Sequence, residues 1–138
     1  MARETRAGDA AYRATPQDPF RILVVCVGNV CRSPLAERLL LSRLGAGFEV
    51  RSSGVRALVG EPMDPTVARL ATELGADPTS FVARQFEPDQ AEWADLVLVA
   101  TRDLRSRVLA EVPTALRRTF TLLEAGRLVT AVSAPEPT

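Results

Sequence analysis

The sequence predicts an α/β fold in which helices cover both faces of a parallel sheet. Short β-branched and aliphatic segments alternate along the chain with segments of helical periodicity, as expected for parallel strands joined by crossover helices. The first such segment, Arg21-Ile-Leu-Val-Val-Cys26, is apolar without polar alternation, which is typical of a strand buried on both faces. A length of 138 residues suits one domain around one core.

The predicted elements follow a mobile leader. Residues 1–19 are polar and end in proline, so we predict a mobile leader before a single folded domain at 20–138. Caps, glycines and prolines set the helix boundaries. The elements are a strand at 21–26, a helix with Ser33 and Pro34 in its N-cap and first-turn positions ending at Gly45 and Gly47, a strand at 48–52, a helix from Asp64-Pro65 to Gly75, a short helix at 88–93, a strand at 96–100, a helix at 101–112, a strand at 119–122 and a helix at 123–132.

Apolar residues at helical spacing predict which helix faces are buried. These residues are Leu35, Leu39 and Leu40 in the first helix, Val67, Leu70, Ala71 and Leu74 in the second, and Leu104, Val108 and Leu109 in the helix at 101–112.

Charge and hydropathy exclude several classes of partner. The formal net charge is +0 and the pI is about 6.3, so no broad basic surface for nucleic acid is predicted. The longest apolar run is far too short to span a bilayer, and the first residues lack the apolar core of a secretory signal. We therefore expect a cytoplasmic protein without a membrane partner, in a compartment where thiols stay reduced.

Two scarcities narrow the chemistry. The chain contains no histidine, which excludes serine–histidine and cysteine–histidine catalysis and histidine metal sites. Its two cysteines, Cys26 and Cys31, cannot form a four-thiolate zinc or iron–sulfur site within one chain. No metal and no cofactor are implied.

The segment between the first strand and the first helix has the pattern of an anion site. Five residues separate Cys26 from Arg32, enough for the backbone to curl until successive N–H groups point into one concavity. The helix beginning near Ser33 directs its positive dipole end there. Gly28 permits close approach or a positive φ, and Asn29 tolerates the left-handed region. Arg32 can bind two oxygens of a tetrahedral oxyanion.

These groups would also activate a thiol. Donors that bind a phosphate dianion stabilise a thiolate, so Cys26 is the candidate nucleophile for attack on phosphorus. Ser33 can donate a hydrogen bond to the sulfur. The amides of the loop and Arg32 would hold the equatorial oxygens of the transition states.

The string CVGNVCRSPLAE resembles the phosphate-loop signature of low-molecular-weight protein tyrosine phosphatases. The resemblance covers residues 20–122. It continues through Ser52-Ser-Gly54, Gly60-x-Pro62-x-Asp64, Ala83-Arg-Gln85, Asp95-Leu-Val-Leu98 and Thr101-Arg102.

The resemblance implies a four-stranded parallel sheet with a phosphate loop after the first strand. It implies metal-free phosphomonoester hydrolysis through a phosphocysteine at Cys26, acting on phosphotyrosine in proteins or on small aryl phosphates. It assigns Arg32 to phosphate binding, Ser33 to sulfur activation, and Asn29 with Ser52 to loop support. The residues expected to contact the phosphate or another oxyanion are Val27, Gly28, Asn29, Val30, Cys31 and Arg32.

The sequence departs from the family's pattern in three places. The family's general acid lies in an Asp-Pro loop before a last helix, and neither has a counterpart before Thr138. We therefore expect either that the activity is impaired or that this sequence is a piece of a longer chain. Without the last helix, we also expect apolar surface on the sheet to be uncovered and to favour self-association. Phe81 replaces a histidine that often helps to anchor the loop asparagine. Residues 55–59 lack the aromatic that stacks on substrate. The available Asp-Pro pairs, poor substitutes for the acid, begin at Asp18, Asp64 and Asp77.

Two other functions and one further role stay open. A phosphate-binding pseudophosphatase would keep the loop without turnover. An arsenate reductase shares the fold, but its thioredoxin-coupled form needs two more cysteines than this chain has after the loop. Cys31 is either a packing residue or a redox partner that protects Cys26 as a reversible disulfide.

Overall fold

A computed structural model describes residues 18–133, with side chains described as far as residue 131. Most of the predicted leader, residues 1–17, lies outside this range, as do residues 134–138. The elements are β1 (Phe20–Cys26), α1 (Arg32–Leu44), β2 (Phe48–Gly54), α2 (Pro65–Glu73), α3 (Pro88–Trp93), β3 (Leu96–Val99), α4 (Arg102–Glu111), a 3₁₀ helix (Pro113–Arg118), β4 (Thr119–Thr121) and α5 (Leu122–Ser133).

The sheet is four-stranded and parallel, in the order β2-β1-β3-β4. Cys26, the last residue of β1, pairs with Gly54 of β2, and Val25 pairs with Val99 of β3. The carboxyl ends of the strands therefore meet at one edge, where ligands of open α/β sheets bind. This confirms the predicted fold class and places the segment after Cys26 at that edge.

Helices cover both faces of this sheet. Leu23 and Val25 of β1 pack in one cluster with residues of α3 and α4, such as Ala91 and Val108. Ile22 and Val24, with side chains on the opposite face, pack against α1 and α5. The uninterrupted apolar run of β1 is explained by this two-sided burial.

The second helix packs less deeply than its sequence pattern predicts. Ala71 is buried and Val67 is partly buried in a cluster that joins α2 to α1. Leu70 and Leu74 are 41% and 44% exposed, so their predicted burial is wrong. The reason is that α2 packs mainly against α1, and this narrow contact buries only a thin stripe of α2.

Helix boundaries follow the predicted caps with one correction. The carboxylate of Asp64 accepts hydrogen bonds from the amides of Thr66 and Val67 and caps α2, as predicted. Helix α1 begins two residues earlier than predicted, with Cys31 instead of Ser33 as its N-cap, so Ser33 lies inside the first turn. Gly45, with φ of 82°, follows its last residue. Among residues 18–133, no helix has the length and hydropathy to span a membrane.

Candidate active site

The loop between β1 and α1 is held from its outer side. The carbonyls of Cys26, Val27 and Gly28 accept hydrogen bonds from amides of residues 55, 56 and 58, at 2.9–3.1 Å. The Val30 carbonyl accepts from the amide of Asp64 at 2.9 Å. These carbonyls are all turned outward and satisfied, so the loop is fixed by the segment that follows β2.

The inner side of the loop presents amide groups instead. The amide of Asn29 donates to Cys26 Sγ at 3.3 Å. Within the part of the chain that the structure describes, the amides of Val27, Gly28 and Val30 donate to no protein acceptor. Unpaired amides around one concavity, at the start of a helix, are the groups that bind a tetrahedral anion.

Asn29 provides the turn that makes this curvature possible. Its φ is 59°, in the left-handed region that asparagine tolerates better than most residues, as the sequence predicted. The alternative of a positive φ at Gly28 is wrong, since Gly28 is not among the residues with that backbone conformation. A Cβ at Gly28 would meet only the Val30 side chain, at 3.8 Å, so contacts within the protein do not require glycine there.

Gly54 brings the end of β2 against the loop. A Cβ at this position would clash with the Val27 carbonyl oxygen and lie 2.9 Å from the Asn29 amide nitrogen. Its amide donates to the Arg84 carbonyl, and its own carbonyl accepts from Phe86. Only glycine allows this approach, a role that the sequence alone did not reveal.

The candidate nucleophile is buried and faces a hydroxyl. Cys26 is 2% exposed, and its Sγ lies 2.8 Å from Ser33 Oγ. When Cys26 is a thiolate, Ser33 must be the donor in this contact. The structure thus brings together Cys26, Asn29 and Ser33 in the arrangement expected from the sequence.

Asn29 connects this pair to the neighbouring strand. Its Nδ2 donates to Ser33 Oγ at 2.8 Å and to Ser52 Oγ at 3.0 Å, while its Oδ1 accepts from the amide of Arg84 at 2.7 Å. Both polar atoms of the Asn29 side chain therefore have hydrogen-bond partners. Because the Arg84 amide is a donor, the Asn29 atom that it contacts must be the oxygen, which fixes the orientation of the side-chain amide. Asn29 thus links the loop to β2 through Ser52 and to the segment of Arg84, and Phe81 has no part in these contacts.

A buried carboxylate ends the network, and the sequence did not predict it. Ser52 donates to Glu37 Oε1 at 2.6 Å, and Glu37 is 8% exposed. Glu37 follows Ser33 by four residues and shares its helix face. A charged residue on the stripe that continues to Leu40 was the signal that could have identified it.

Arg32 lies at the first position of α1 with an exposed side chain. Its guanidinium makes no hydrogen bond or ion pair with any other residue that the structure describes. It is therefore available to bind two oxygens of an anion at the loop.

Cys31, the N-cap residue of α1, is exposed. Partial burial of its sulfur, together with the negative charges of Asp64 and Cys26, raises the pKa of the Cys31 thiol, and Arg32 opposes this shift. At neutral pH Cys31 is therefore a protonated thiol, in contrast to the role expected of Cys26.

Two of the three Asp-Pro pairs, those at Asp64 and Asp77, have structural roles. Asp64 caps α2. Asp77 accepts hydrogen bonds from the amide and hydroxyl of Thr79, which lower the pKa of its carboxyl group. A carboxyl with a lowered pKa is poorly suited to donate a proton at neutral pH.

Aliphatic side chains surround the opening of the loop. Val27 is 41% exposed, and Leu58 and Val59 are more exposed still. The segment that carries Leu58 is bonded to the loop through the Gly28 carbonyl. In residues 18–131 no group of three or more Cys, Asp or Glu side chains is arranged to hold a metal ion.

Comparison with known proteins agrees with this geometry. A sequence profile of the low molecular weight phosphotyrosine protein phosphatase family matches residues 21–128. The chain is similar to the low molecular weight protein-tyrosine-phosphatase Etp of Escherichia coli K12, with 41% identity over 92 residues, 67% of this chain and 62% of Etp.

Two solved structures are also similar. The tyrosine phosphatase Wzb from Escherichia coli K30 in complex with sulphate superimposes with a TM-score of 0.68 and 35% identity, covering 73% of this chain and 70% of that protein. The YwlE arginine phosphatase from Geobacillus stearothermophilus has a TM-score of 0.70 and 33% identity, with 86% of this chain and 73% of that protein covered.

The profile match, the level of identity and the shared fold agree with the loop geometry. The chain spans 62% of the length of Etp. The chain belongs to the low molecular weight phosphotyrosine protein phosphatase family.

Proposed function

We propose that the protein hydrolyses phosphomonoesters without a metal, through a phosphocysteine at Cys26. One observation carries the proposal: Cys26 Sγ is buried within a curl of unpaired amides and lies 2.8 Å from Ser33 Oγ. Amide groups, a hydroxyl and a helix N-terminus directed at one point stabilise negative charge there. The same donors suit a phosphate dianion.

The reaction has two displacements at phosphorus. In the first, the Cys26 thiolate forms an S–P bond while the ester P–O bond breaks, and the leaving oxygen takes a proton. In the second, water attacks the phosphocysteine, the S–P bond breaks and inorganic phosphate leaves. Ser33 donates to the sulfur as it departs, which makes the thiolate a better leaving group.

The loop amides and Arg32 have the same task in both steps. They are donors fixed before the reaction, directed at the three equatorial oxygens of the transferred phosphoryl group. Because the loop carbonyls are tied to residues 55–64, the amides need not reorganise as charge develops. This fixed arrangement is the main physical argument for an enzyme over a passive phosphate-binding protein.

The proposed substrate is phosphotyrosine in a protein, or a small aryl phosphate. Etp and Wzb, to which this chain is similar, are named tyrosine phosphatases. A second candidate is phosphoarginine, since YwlE is named an arginine phosphatase and its structure covers more of this chain than Wzb does. The aliphatic residues beside the loop contact an extended side chain as readily as an aromatic ring.

Vanadate titration together with turnover tests the proposed function. We expect vanadate to compete with p-nitrophenyl phosphate, and the competition to be unchanged by a chelator. Vanadate binding without turnover would support the pseudophosphatase instead, and chelator-sensitive binding would refute a metal-free site. Phosphotyrosine and phosphoarginine peptides of one sequence, compared by kcat/KM, decide between the two substrates.

Two further expectations stay predictions. A nucleophilic thiolate suits the reducing cytoplasm that we propose as its location. Self-association is checked by light scattering over a concentration series. Helix α5 has exposed aliphatic residues, Leu123, Leu128 and Val129, that would contribute to such an association.

A further inference from the structure

The guanidinium of Arg38 binds Glu37, the last residue of the hydrogen-bond network that contacts the loop. Arg38 Nε donates to Glu37 Oε2 at 3.0 Å, while the other oxygen of Glu37 accepts from Ser52. The Arg38 side chain is 18% exposed and that of Glu37 is 11% exposed, so this ion pair is largely shielded from solvent.

Arg38 is itself held in one orientation. Its Nη1 donates to the carbonyls of Asp77 and Thr79, both at 3.0 Å. Its Cζ lies 5.6 Å from the ring centroid of Phe81, which is buried. A side chain fixed by two carbonyls and an aromatic ring presents its charge to Glu37 at little entropic cost.

We propose that Arg38 is a positioning residue for Cys26, acting through the hydrogen-bonded series Glu37–Ser52–Asn29–Ser33. The ion pair with Arg38 holds the Glu37 carboxylate where it accepts the Ser52 hydrogen, and Ser52 in turn accepts from Asn29. The inference rests on the proposed function only in taking Cys26 as the nucleophile.

The direction of the bonds follows from the donors available. The Arg84 amide binds Asn29 Oδ1, so Asn29 Nδ2 must donate toward both serines. Ser52, receiving one of these hydrogens, has to donate its own to Glu37 Oε1. Only an acceptor at Glu37 allows this, and a carboxylate is an obligate acceptor.

A Glu37 side chain that turned away from Ser52 would leave the Ser52 hydrogen without an acceptor. Arg38 holds the carboxylate in place, because its Nε binds Oε2 and leaves Oε1 facing Ser52. Without Arg38, Ser52 would lose its fixed acceptor, and Asn29 Nδ2, which donates to both Ser52 and Ser33, would lose one of its fixed partners.

The test is the pH dependence of Cys26 alkylation, which requires no turnover. In a Cys31→Ser background, Cys26 is the one thiol left, and its reaction with iodoacetamide gives the midpoint of thiolate formation. We expect Arg38→Ala to move this midpoint upward by about one pH unit, the size of one weakened hydrogen bond to a charged group. A phosphatase assay is run separately, so failure of the proposed function and failure of this inference are distinguishable.

Two variants separate positioning from simple packing. Arg43 also lies on α1 and donates to the Leu74 carbonyl at 3.1 Å, but it does not contact Glu37, so Arg43→Ala is the matched control and should leave the midpoint unchanged. Arg38→Lys keeps a charge beside Glu37 but cannot make the contacts that the guanidinium makes to the two carbonyls. Compared with Arg38→Ala, it should therefore have a thiolate midpoint close to that of wild type, while its melting temperature stays below that of wild type.

A double variant shows whether Arg38 acts through Glu37. In a Glu37→Gln background, which lacks the charge, Arg38→Ala should give no additional shift. A midpoint in Arg38→Ala equal to that of Arg43→Ala would overturn the proposal, as would an undiminished second shift in the Glu37→Gln background. If Arg38→Ala does not fold, the comparison of Arg38→Lys with Glu37→Gln decides, because equal shifts in these two would also contradict it.

Discussion

The two cysteines of the phosphate loop lie five positions apart and have opposite surroundings. Cys26 is buried, accepts a hydrogen bond from the Asn29 amide and lies 2.8 Å from Ser33 Oγ. Cys31 is exposed, and the partial burial of its sulfur together with the charge of Asp64 raises the pKa of its thiol. This difference in surroundings is the basis of our proposal that Cys26, and not Cys31, is the nucleophile.

Serine substitutions at the two cysteines give the largest expected contrast. Cys26→Ser should lower kcat on p-nitrophenyl phosphate by on the order of 10⁴-fold or more, because a hydroxyl at neutral pH is a far weaker nucleophile than a thiolate. Vanadate binding to Cys26→Ser should stay measurable, since the amides and Arg32 remain. Cys31→Ser should retain turnover. Activity near wild type in Cys26→Ser would place the nucleophile elsewhere.

Gly54→Ala tests whether the close contact between the end of β2 and the phosphate loop determines the arrangement of the loop amides. The added methyl group would clash with the Val27 carbonyl and crowd the Asn29 amide, so the loop must shift. We expect kcat/KM to fall by about 10²-fold, as found when catalytic groups are misplaced by about 1 Å. Gly126→Ala in α5, where a Cβ meets nothing within 4 Å, is the control. Equal activity in the two variants would show that the loop tolerates the displacement.

Oxidation tests whether Cys26 and Cys31 can form a disulfide bond. Peroxide converts the Cys26 thiolate to a sulfenic acid, and the Cys31 thiolate would displace hydroxide from it to form a disulfide. Because the pKa of Cys31 is raised, less of it is thiolate at neutral pH, so disulfide formation should accelerate as pH increases. Dithiothreitol should then restore more activity to wild type than to Cys31→Ser. Equal recovery would remove the redox role.

Asp64→Asn should have the smallest effect. Asparagine caps a helix as well as aspartate, so α2 should persist while the carboxyl group beside Cys31 is lost. We expect kcat to change by less than about twofold, because Asp64 acts as a cap and not as the general acid. Loss of a general acid would instead lower the rate by ~10²–10⁴-fold, most severely for substrates with poor leaving groups. A leaving-group series on both proteins distinguishes these results.

The inner side of the loop could be predicted from the sequence because it depends on local spacing. The distance from Cys26 to Arg32, the left-handed tolerance of Asn29 and the helix start near Ser33 are properties of consecutive residues. The sheet followed from alternating strand and helix patterns. Local signals were therefore sufficient for the fold class and for the position of the candidate nucleophile at the carboxyl edge of the sheet.

The supporting contacts could not be predicted because they depend on how separate elements pack. Glu37 meets Ser52 only because α1 lies over β2, and Gly54 is required only because β2 ends against the loop. Helical periodicity placed Leu70 and Leu74 on a buried face, but α2 contacts a single neighbour and leaves them exposed. Periodicity gives the direction of a helix face and not the width of its contact.

The central claim is that Cys26 carries the phosphoryl group, and trapping the intermediate tests it most directly. Protein mixed with p-nitrophenyl phosphate and quenched within one turnover should gain the mass of one phosphoryl group, and fragmentation should place it on Cys26. Cys26→Ser should gain none under the same conditions. A phosphoryl group on another residue, or turnover by wild type with no phosphorylated protein at any quench time, would contradict the account.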